Sequence, residues 1–253
     1  MKYAKKFSSS EDYMTWRTSN NYQIPSVTYI SDSEEPRVVY HKFPDTYGYD
    51  YVDLALPSGT LWGTMNVGAQ SSSDPGDYFT YGDIYTSQSY TEDDYYLFNG
   101  EGQEYNKYNS TDGKTELELM DDAANESCHG EWHIPTADQW DELLINTERT
   151  VGNGGVTFTG ANGNSIFLPA TGVMVGNSLE NSSVAFYLSS SLHQFFNRGG
   201  GGSSDYCKLY IDDLSNSKPS MDIGPRYNGY VVRPVIGRLK GLVMGPVEDA
   251  PIK

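Results

Sequence analysis

The sequence predicts a mixed α+β domain that is rich in short strands and long ordered loops, with a small helix-hairpin module in front of it. Short apolar runs with a strand-like alternation recur between turn signals, and one segment has a clear helical period. The 26 glycines are spread along the chain, as is typical of a loop-rich β protein.

Strand signals occur throughout the main domain, which we place at residues 45–237. Residues 52–56 alternate apolar and polar side chains as a half-buried strand does, and residues 60–67 predict a second strand after a Pro-Ser-Gly turn. Residues 156–159 and 165–169 flank an Asn-Gly pair, which is a strong hairpin signal. The chain therefore carries strand signals both before and after its clearest helix.

The clearest helix begins at Thr136. Thr136 and Gln139 have the spacing of a capping box, in which each side chain accepts a hydrogen bond from the backbone of the other residue. Trp140 and Leu143 are three residues apart, so they share one face of a helix. We expect this helix to run to about Asn146 with both apolar side chains in the core.

Residues 70–115 have no clean period and are rich in Tyr, Asp, Ser and Gly. A structureless loop of this length is uncommon in a compact domain, so we expect long ordered loops with short elements inside them. A short helix is also expected to begin near residues 121–124.

Residues 1–44 predict a separate small unit. A capping-box pattern at Ser8 and Glu11 predicts a short helix, and residues 24–30 and 37–41 predict two strands. This unit is too small to hold a core alone, so we expect an attachment or oligomerisation module. Residues 238–253 form a tail with no predicted structure.

The formal net charge of −17 disfavours a nucleic-acid partner, because it repels the phosphates. No apolar run approaches the roughly 20 residues that span a membrane, and the basic start of the chain is not followed by the apolar run of a signal peptide. We therefore expect a protein that is cytoplasmic at synthesis and not inserted in a membrane. Cys128 and Cys207 lie far apart and are expected to be reduced, half-buried thiols.

The stretch between the predicted strands at residues 187–191 and 229–235 has the composition of a contact surface. Tyr gives a large contact area at low entropic cost and small polar residues adapt to a partner, which is why both are enriched in antibody paratopes. We expect this stretch to bind a ligand. The candidate ligand-binding residues are His193, Phe195, Phe196, Asn197, Arg198, Tyr206, Tyr210, Asp212, Asn216, Arg226, Tyr227 and Asn228.

No Ser/His/Asp order and no phosphate-binding loop stands out, so we assign no catalytic residue and expect a protein that is not an enzyme. We assign no cofactor and no metal ligand. Acidic pairs at residues 93–94, 121–122 and 212–213 leave calcium as an open alternative, although the sequence has no Asp-x-Asp-x-Asp-Gly loop.

Five short motifs occur in order along residues 50–237. They are Tyr51-Val52-Asp53-Leu54-x-Leu56-Pro57-Ser58-Gly59-Thr60-Leu61-Trp62, Asn66-Val67-Gly68-Ala69, Gly130-x-Trp132-x-Ile134-Pro135-Thr136, Gly163-Asn164-Ser165-Ile166-Phe167-Leu168-Pro169-Ala170 and Gly229-Tyr230-x-Val232-Arg233-Pro234-Val235. Together they resemble the Bacteroidetes branch of the C-type-lectin-like fold that is shared with formylglycine-generating enzymes. That branch includes surface lipoproteins and the variable proteins of diversity-generating retroelements.

This resemblance implies a C-type-lectin-like fold whose ligand-binding residues lie between the two framework strands. Adenine-directed mutation could generate much of residues 193–228, but not Gln194, Lys208, Lys218 or Met221, so whether the segment is diversified stays open. The first 44 residues resemble a leader module of phage and prophage proteins of gut Bacteroidales, which implies association with a virion.

The sequence thus predicts a receptor-binding or adhesion protein, encoded by a phage or prophage, whose partner is a protein or glycan on the host surface. Other expected partners are virion proteins contacted through residues 1–44 and further copies of the chain. Two alternatives stay open. One is an oxidase of the formylglycine-generating type, which needs a reactive cysteine pair late in the domain, where only Cys207 lies. The other is a structural virion protein without a ligand.

Overall fold

The computed structural model describes residues 27–30, 37–40, 49–99, 104–193, 206–214 and 219–237. The chain divides into two compact units, of which the larger is Asp45–Arg238 and the smaller contains an N-terminal hairpin. The described residues form a sheet-rich fold with little helix. None of the helices among them is long and apolar enough to cross a membrane.

The described strands are short except near the end of the larger unit. They are β1 Val27–Ile30, β2 Arg37–Tyr40, β3 Tyr51–Asp53, β4 Leu61–Gly63, β5 Tyr78–Phe79, β6 Phe98–Asn99, β7 Glu104–Tyr105, β8 Trp132–His133, β9 Glu148–Gly152, β10 Gly155–Thr159, β11 Ser165–Pro169, β12 Val173–Val175, β13 Ser178–Glu180, β14 Val184–Leu192, β15 Tyr206–Asp213, β16 Ser220–Pro225, β17 Tyr230–Val231 and β18 Val235–Ile236. A single turn of 3₁₀ helix, Leu119–Asp121, precedes helix α1, Ala123–Cys128, and helix α2 is Ala137–Asn146.

The larger unit is organised around a five-stranded sheet of order β16-β15-β14-β17-β5. Its neighbours pair antiparallel, except that β14 and β17 are parallel. A four-stranded antiparallel sheet has the order β3-β4-β18-β8, and a three-stranded one has the order β11-β10-β9. The remaining pairs are β1-β2, β6-β7 and β12-β13.

The five-stranded sheet separates two hydrophobic cores, because successive side chains of a strand point to opposite faces. Tyr187 and Tyr210 pack on one face with Trp140 of α2, in a cluster that we call the α2-side core. Leu188 and Leu209 pack on the other face, in a cluster that we call the loop-side core. The loop-side core also contains Tyr81, Tyr95, Tyr105 and Tyr108, which come from the loops between β5 and α1.

Helix α2 confirms the sequence prediction. Thr136 Oγ1 accepts a hydrogen bond from Gln139 N at 3.2 Å, and Thr136 N donates to Gln139 Oε1 at 2.9 Å, which completes the capping box. The helix ends at Asn146, and Trp140 and Leu143 are both fully buried. Local capping and one apolar face therefore define this element.

The Asn-Gly hairpin and the short helix were also predicted correctly. Strands β10 and β11 pair antiparallel with Thr159 opposite Ser165. Asp122 precedes α1 and caps it, since its Oδ1 accepts from Ala124 N at 2.9 Å and Asn125 N at 3.0 Å. Residues 70–115 contain β5, β6 and β7, the short elements that the length of this region required.

Some predicted strands are shorter than expected. The strand predicted at residues 52–56 ends at Asp53, whose Oδ1 accepts from Ala55 N at 2.8 Å. This turn places Ala55 at a φ of 55° and removes it from the sheet. The strand predicted at residues 60–67 is reduced to β4. In the N-terminal module, β1 and β2 form the expected hairpin, and the predicted helix after Ser8 lies outside the described residues.

The strand predicted at residues 229–235 is divided between two sheets. β17 belongs to the five-stranded sheet and β18 to the four-stranded one, so the chain changes sheet at Arg233. This guanidinium is fully buried and donates to Gly63 O at 2.9 Å and to Phe167 O at 2.8 Å. Arg233 therefore has a structural role, because it joins two backbone carbonyls inside the domain.

Candidate ligand-binding surface

Much of the predicted contact segment belongs to the central sheet. β15 and β16 occupy most of its described part. Tyr210, Asp212 and Arg226 are 0 % exposed and Asn228 is 9 % exposed. Their assignment to the contact surface is corrected accordingly, because a buried side chain cannot touch a ligand in this conformation.

Tyr210 and Asp212 stabilise the α2-side core. The Tyr210 ring stacks on Trp140 with the ring centroids 4.7 Å apart, and its hydroxyl donates to Asp212 Oδ2 at 2.7 Å. Arg149 completes the site, with Nε donating to Asp212 Oδ2 at 2.7 Å and Nη2 donating to Oδ1. Burial and the adjacent carboxylate raise the pKa of Tyr210 well above its usual value, so this phenol stays a hydrogen-bond donor.

Arg226 occupies the centre of the loop-side core. Its Nη1 donates to Tyr108 O at 3.1 Å and its Nη2 donates to Lys107 O at 3.0 Å. Its Cζ lies 4.3 Å from the ring centroid of Tyr105, 5.4 Å from that of Tyr81 and 5.6 Å from that of Tyr95. Attraction between a cation and a tyrosine face contributes about 0.5–2 kcal/mol each, and most when water is excluded.

This arrangement connects two long loops to the end of β16. The first loop is residues 80–97, between β5 and β6, and the second is residues 106–122, between β7 and α1. Arg226 Nε donates to Tyr95 Oη at 3.3 Å, and Arg226 O accepts from Tyr81 N at 2.9 Å. The carbonyls of Lys107 and Tyr108 belong to the second loop. Arg226 is therefore a positioning residue, because it holds the two loops whose exposed side chains form the candidate surface.

His193 and Tyr206 lie together where β14 ends and β15 begins. Both side chains are half-buried, and His193 N donates to Tyr206 O at 3.1 Å. Tyr227 is also half-buried and packs against the loop-side core. These residues remain candidates for ligand contact. Phe195, Phe196, Asn197, Arg198 and Asn216 lie outside the described residues.

An exposed aromatic and apolar surface lies on the two loops that Arg226 holds. Tyr85 is 67 % exposed, Tyr96 50 % and Met120 71 %. These three side chains line a groove of about 470 Å³. We call it the Tyr85–Met120 groove, and its lining residues are Gly82, Asp83, Ile84, Tyr85, Tyr96, Met120 and Asp121.

The groove is linked to the end of β14 that carries His193. Leu117 N donates to Ser190 O at 2.9 Å, and Leu192 N donates to Thr115 O at 2.7 Å. Tyr81 Oη, one residue before the groove, also donates to Ser190 O at 2.9 Å. The loop that carries Met120 and the end of β14 are thus joined by backbone hydrogen bonds.

A charged network borders the groove. Lys107 Nζ pairs with Asp121 and, at 2.6 Å, with Glu118 Oε2, while Lys114 Nζ pairs with Glu118 Oε1 at 2.7 Å. These two lysines lower the pKa of Glu118 to about 2. Tyr108 Oη donates to Asp121. The pKa of Tyr108 is raised, mainly because the side chain is buried and also because of this hydrogen bond. Burial also raises the pKa of Asp83, whose Oδ1 accepts from Tyr85 N at 3.1 Å.

Sequence reasoning missed Tyr85, Tyr96 and Met120. The density of tyrosine in residues 70–115 was a signal, but it does not tell buried rings from exposed ones. Tyr95, adjacent to Tyr96, is 3 % exposed and bonded to Arg226. Arg226 of the 193–228 segment is therefore bonded to the loop that carries Tyr96.

Both cysteines are free and fully buried, rather than half-buried as expected. Cys128 belongs to α1 and Cys207 to β15. Burial raises the pKa of each thiol to about 12. Within the described ranges, no group of three or more His, Cys, Asp or Glu side chains is arranged to hold a metal ion.

No family model matches this sequence, and comparison with curated proteins and with solved structures gave no significant match. The candidate surface is therefore defined by its geometry.

Proposed function

We propose that this chain is a ligand-binding protein with a C-type-lectin-like fold, and that the surface around the Tyr85–Met120 groove binds a protein or glycan on a host cell. The observation that carries this proposal is the buried guanidinium of Arg226, which holds two loops in place beneath exposed aromatic and apolar side chains. Rigid scaffolds that position surface loops are the usual architecture of binding proteins.

Pre-organisation gives this arrangement its value for binding. Ordering a loop at the moment of association costs free energy that is subtracted from the affinity. Here the ordering is supplied by contacts inside the protein, so the backbone of the two loops is held before any ligand arrives. Tyrosine and methionine also present large contact areas, and tyrosine is enriched at the centres of interfaces.

The sequence resemblance supports a phage or prophage origin for this binding activity. It favours a receptor-binding or adhesion protein of a phage or prophage, attached to other virion proteins, or to further copies of the chain, through residues 1–44. Diversification of residues 193–228 by a retroelement belongs to the same proposal. A second copy of the coding segment, differing mainly at adenines, would support it.

Binding to cells tests the function. The purified full chain should bind a subset of Bacteroidales strains, and the double variant Tyr85→Ala/Met120→Ala should weaken that binding at least tenfold. Both side chains are mostly exposed, so the melting temperature should stay unchanged. Ile145→Ala is the matched control, because Ile145 is 80 % exposed but lies on α2. Unchanged cell binding by the double variant would contradict the proposed surface.

The oxidase alternative makes a different prediction. Thiol oxidation requires a reactive thiolate, and burial with a pKa of about 12 suppresses the thiolate of Cys128 and Cys207. Neither cysteine should react with a disulfide reagent at about pH 8 until the protein is unfolded. Fast reaction of the folded protein would favour the oxidase instead.

A further inference from the structure

We infer that the Tyr85–Met120 groove binds an arginine side chain of a protein ligand. This inference rests on the proposed function and names the chemistry of the partner. It is drawn from the groove's lining residues, the balance of charge around them and the way in which the protein binds its own Arg226.

The lining combines two carboxylates with aromatic and apolar side chains. Asp83 and Asp121 supply acidic groups, whereas Tyr85, Tyr96 and Met120 supply rings and a thioether. An arginine side chain has a matching structure, because its apolar stem packs on carbon and its flat guanidinium stacks on rings and donates to carboxylates. Each part of such a side chain therefore has a partner in the groove.

The balance of charge also favours a cation. Asp121 and Glu118 are paired with Lys107 and Lys114. For Asp83, in contrast, the described residues supply no ion pair, and its carboxylate accepts from the backbone N–H groups of Tyr85 and Ile84. Asp83 is thus the carboxylate of the lining to which the described ion pairs bring no cation, in a chain whose net charge is −17. Asp83 is half-buried, and this partial loss of hydration raises the pKa of its carboxyl group.

The protein already binds a guanidinium in this way in the loop-side core. Arg226 is surrounded by tyrosine rings and by carbonyl oxygens of the same two loops. Lys107 similarly places its Nζ 5.1 Å from the ring centroid of Tyr108. The groove repeats this combination of rings and oxygen acceptors at the surface, with a carboxylate in addition.

A glycan fits the groove less well. A sugar hydroxyl that loses water needs a new hydrogen-bond partner, and several such partners must converge. The groove offers mainly rings and apolar groups, and the Asp121 carboxylate already accepts hydrogen bonds from Lys107 and Tyr108. We therefore favour a protein ligand, and a glycan becomes one outcome of the test.

The experiment is an NMR titration of the full chain with methyl-labelled methionine. The probes are Nα-acetyl-arginine methylamide, its neutral analogue Nα-acetyl-citrulline methylamide and methyl glycosides. The arginine probe should shift the Met120 methyl signal saturably, and added salt should weaken the effect. Asp83→Asn, which keeps an acceptor for Tyr85 N, should raise the Kd about two- to fivefold, as loss of one charge contact does. Asp93→Asn is the matched control, because Asp93 is an exposed carboxylate outside the lining.

Three results would overturn the inference: an equal response to the citrulline probe, an equal effect of the Asp83 and Asp93 substitutions, or saturation by a glycoside alone. Cell binding separates this inference from the proposed function. If strains bind the wild-type chain but the arginine probe does not shift Met120, the inference fails and the function stands. If the probe binds normally but no strain does, the function fails and the arginine site stands.

Discussion

The two faces of the five-stranded sheet both pack aromatic side chains, but they are held by different interactions. On one face, Trp140 stacks on Tyr210 and meets Trp62 edge-on, with centroid distances of 4.7 and 4.8 Å. On the other face, Tyr105 packs against a buried cation, the guanidinium of Arg226, at 4.3 Å. Trp140 of the α2-side core packs mainly on other rings, whereas the tyrosine rings of the loop-side core also surround a cation.

This difference separates stability from function within one domain. The α2-side core draws on a helix and a hairpin that regular hydrogen bonding holds together. The loop-side core gathers long loops, which have few backbone partners of their own and need a side chain to supply them. We therefore expect substitutions in the first core to reduce global stability and those around Arg226 to affect mainly the binding surface.

Truncation of the α2-side core should have the largest effect. Trp140→Ala should lower the free energy of unfolding by about 3–5 kcal/mol, because it removes a fully buried indole and leaves a cavity. Denaturant melts measure this loss. Ile145→Ala on the same helix is the control and should change stability by less than about 0.5 kcal/mol. A loss below about 1 kcal/mol for Trp140→Ala would contradict the packing described.

Loss of the buried cation should come next. Arg226→Met keeps much of the volume but leaves the carbonyl oxygens of Lys107 and Tyr108 without this donor, so we expect residues 80–121 to lose about 2–4 kcal/mol of local stability. Native-state hydrogen exchange measures this local loss, and the global free energy of unfolding should fall by less. Arg226→Lys should recover only part of the stability, since an ammonium cannot reproduce the fork of the guanidinium. Equal stability of the lysine variant and the wild type would show that only the charge matters.

A smaller effect is expected at the polar edge of the α2-side core. Asp212→Asn keeps the shape of the side chain but weakens the bidentate contact with Arg149 and the bond from Tyr210, so the loss should be about 1–2 kcal/mol. A double-mutant cycle with Arg149→Met isolates the pair. Additive losses in that cycle would show that the two residues do not interact.

The smallest effect concerns the start of α2. Thr136→Ala removes the acceptor for Gln139 N and should cost about 1 kcal/mol. Thr136→Ser keeps a hydroxyl and should lie close to the wild type. If the alanine and serine variants have the same stability, the capping box does not contribute.

The parts of the fold that were predicted from sequence are those with local causes. The capping box of α2 spans three residues, and the Asn-Gly turn lies directly between β10 and β11. Arg226, in contrast, bonds to Tyr95, which lies 131 residues earlier. No local pattern reports such a contact, so a cation that belongs to the core was interpreted as a surface residue.

The same limit explains the errors in β15. Its tyrosines and aspartates have the composition of a contact surface, but Tyr210 and Asp212 bond to each other, and Asp212 also bonds to Arg149, inside the domain. Composition alone cannot distinguish a tyrosine that binds a partner from one that packs on Trp140. The exposed groove was missed for the complementary reason, because exposure of Tyr85 and Tyr96 depends on how Arg226 places their loops.

Hydrogen exchange in the Arg226→Met variant tests the central claim most directly. Amide exchange measured by mass spectrometry reports the stability of each segment separately under native conditions. We predict that residues 80–121 lose protection relative to the wild type, while α2 and the β10–β11 hairpin keep theirs. Uniform loss across both cores, or unchanged protection in residues 80–121, would show that Arg226 does not hold the binding loops and would contradict this assignment.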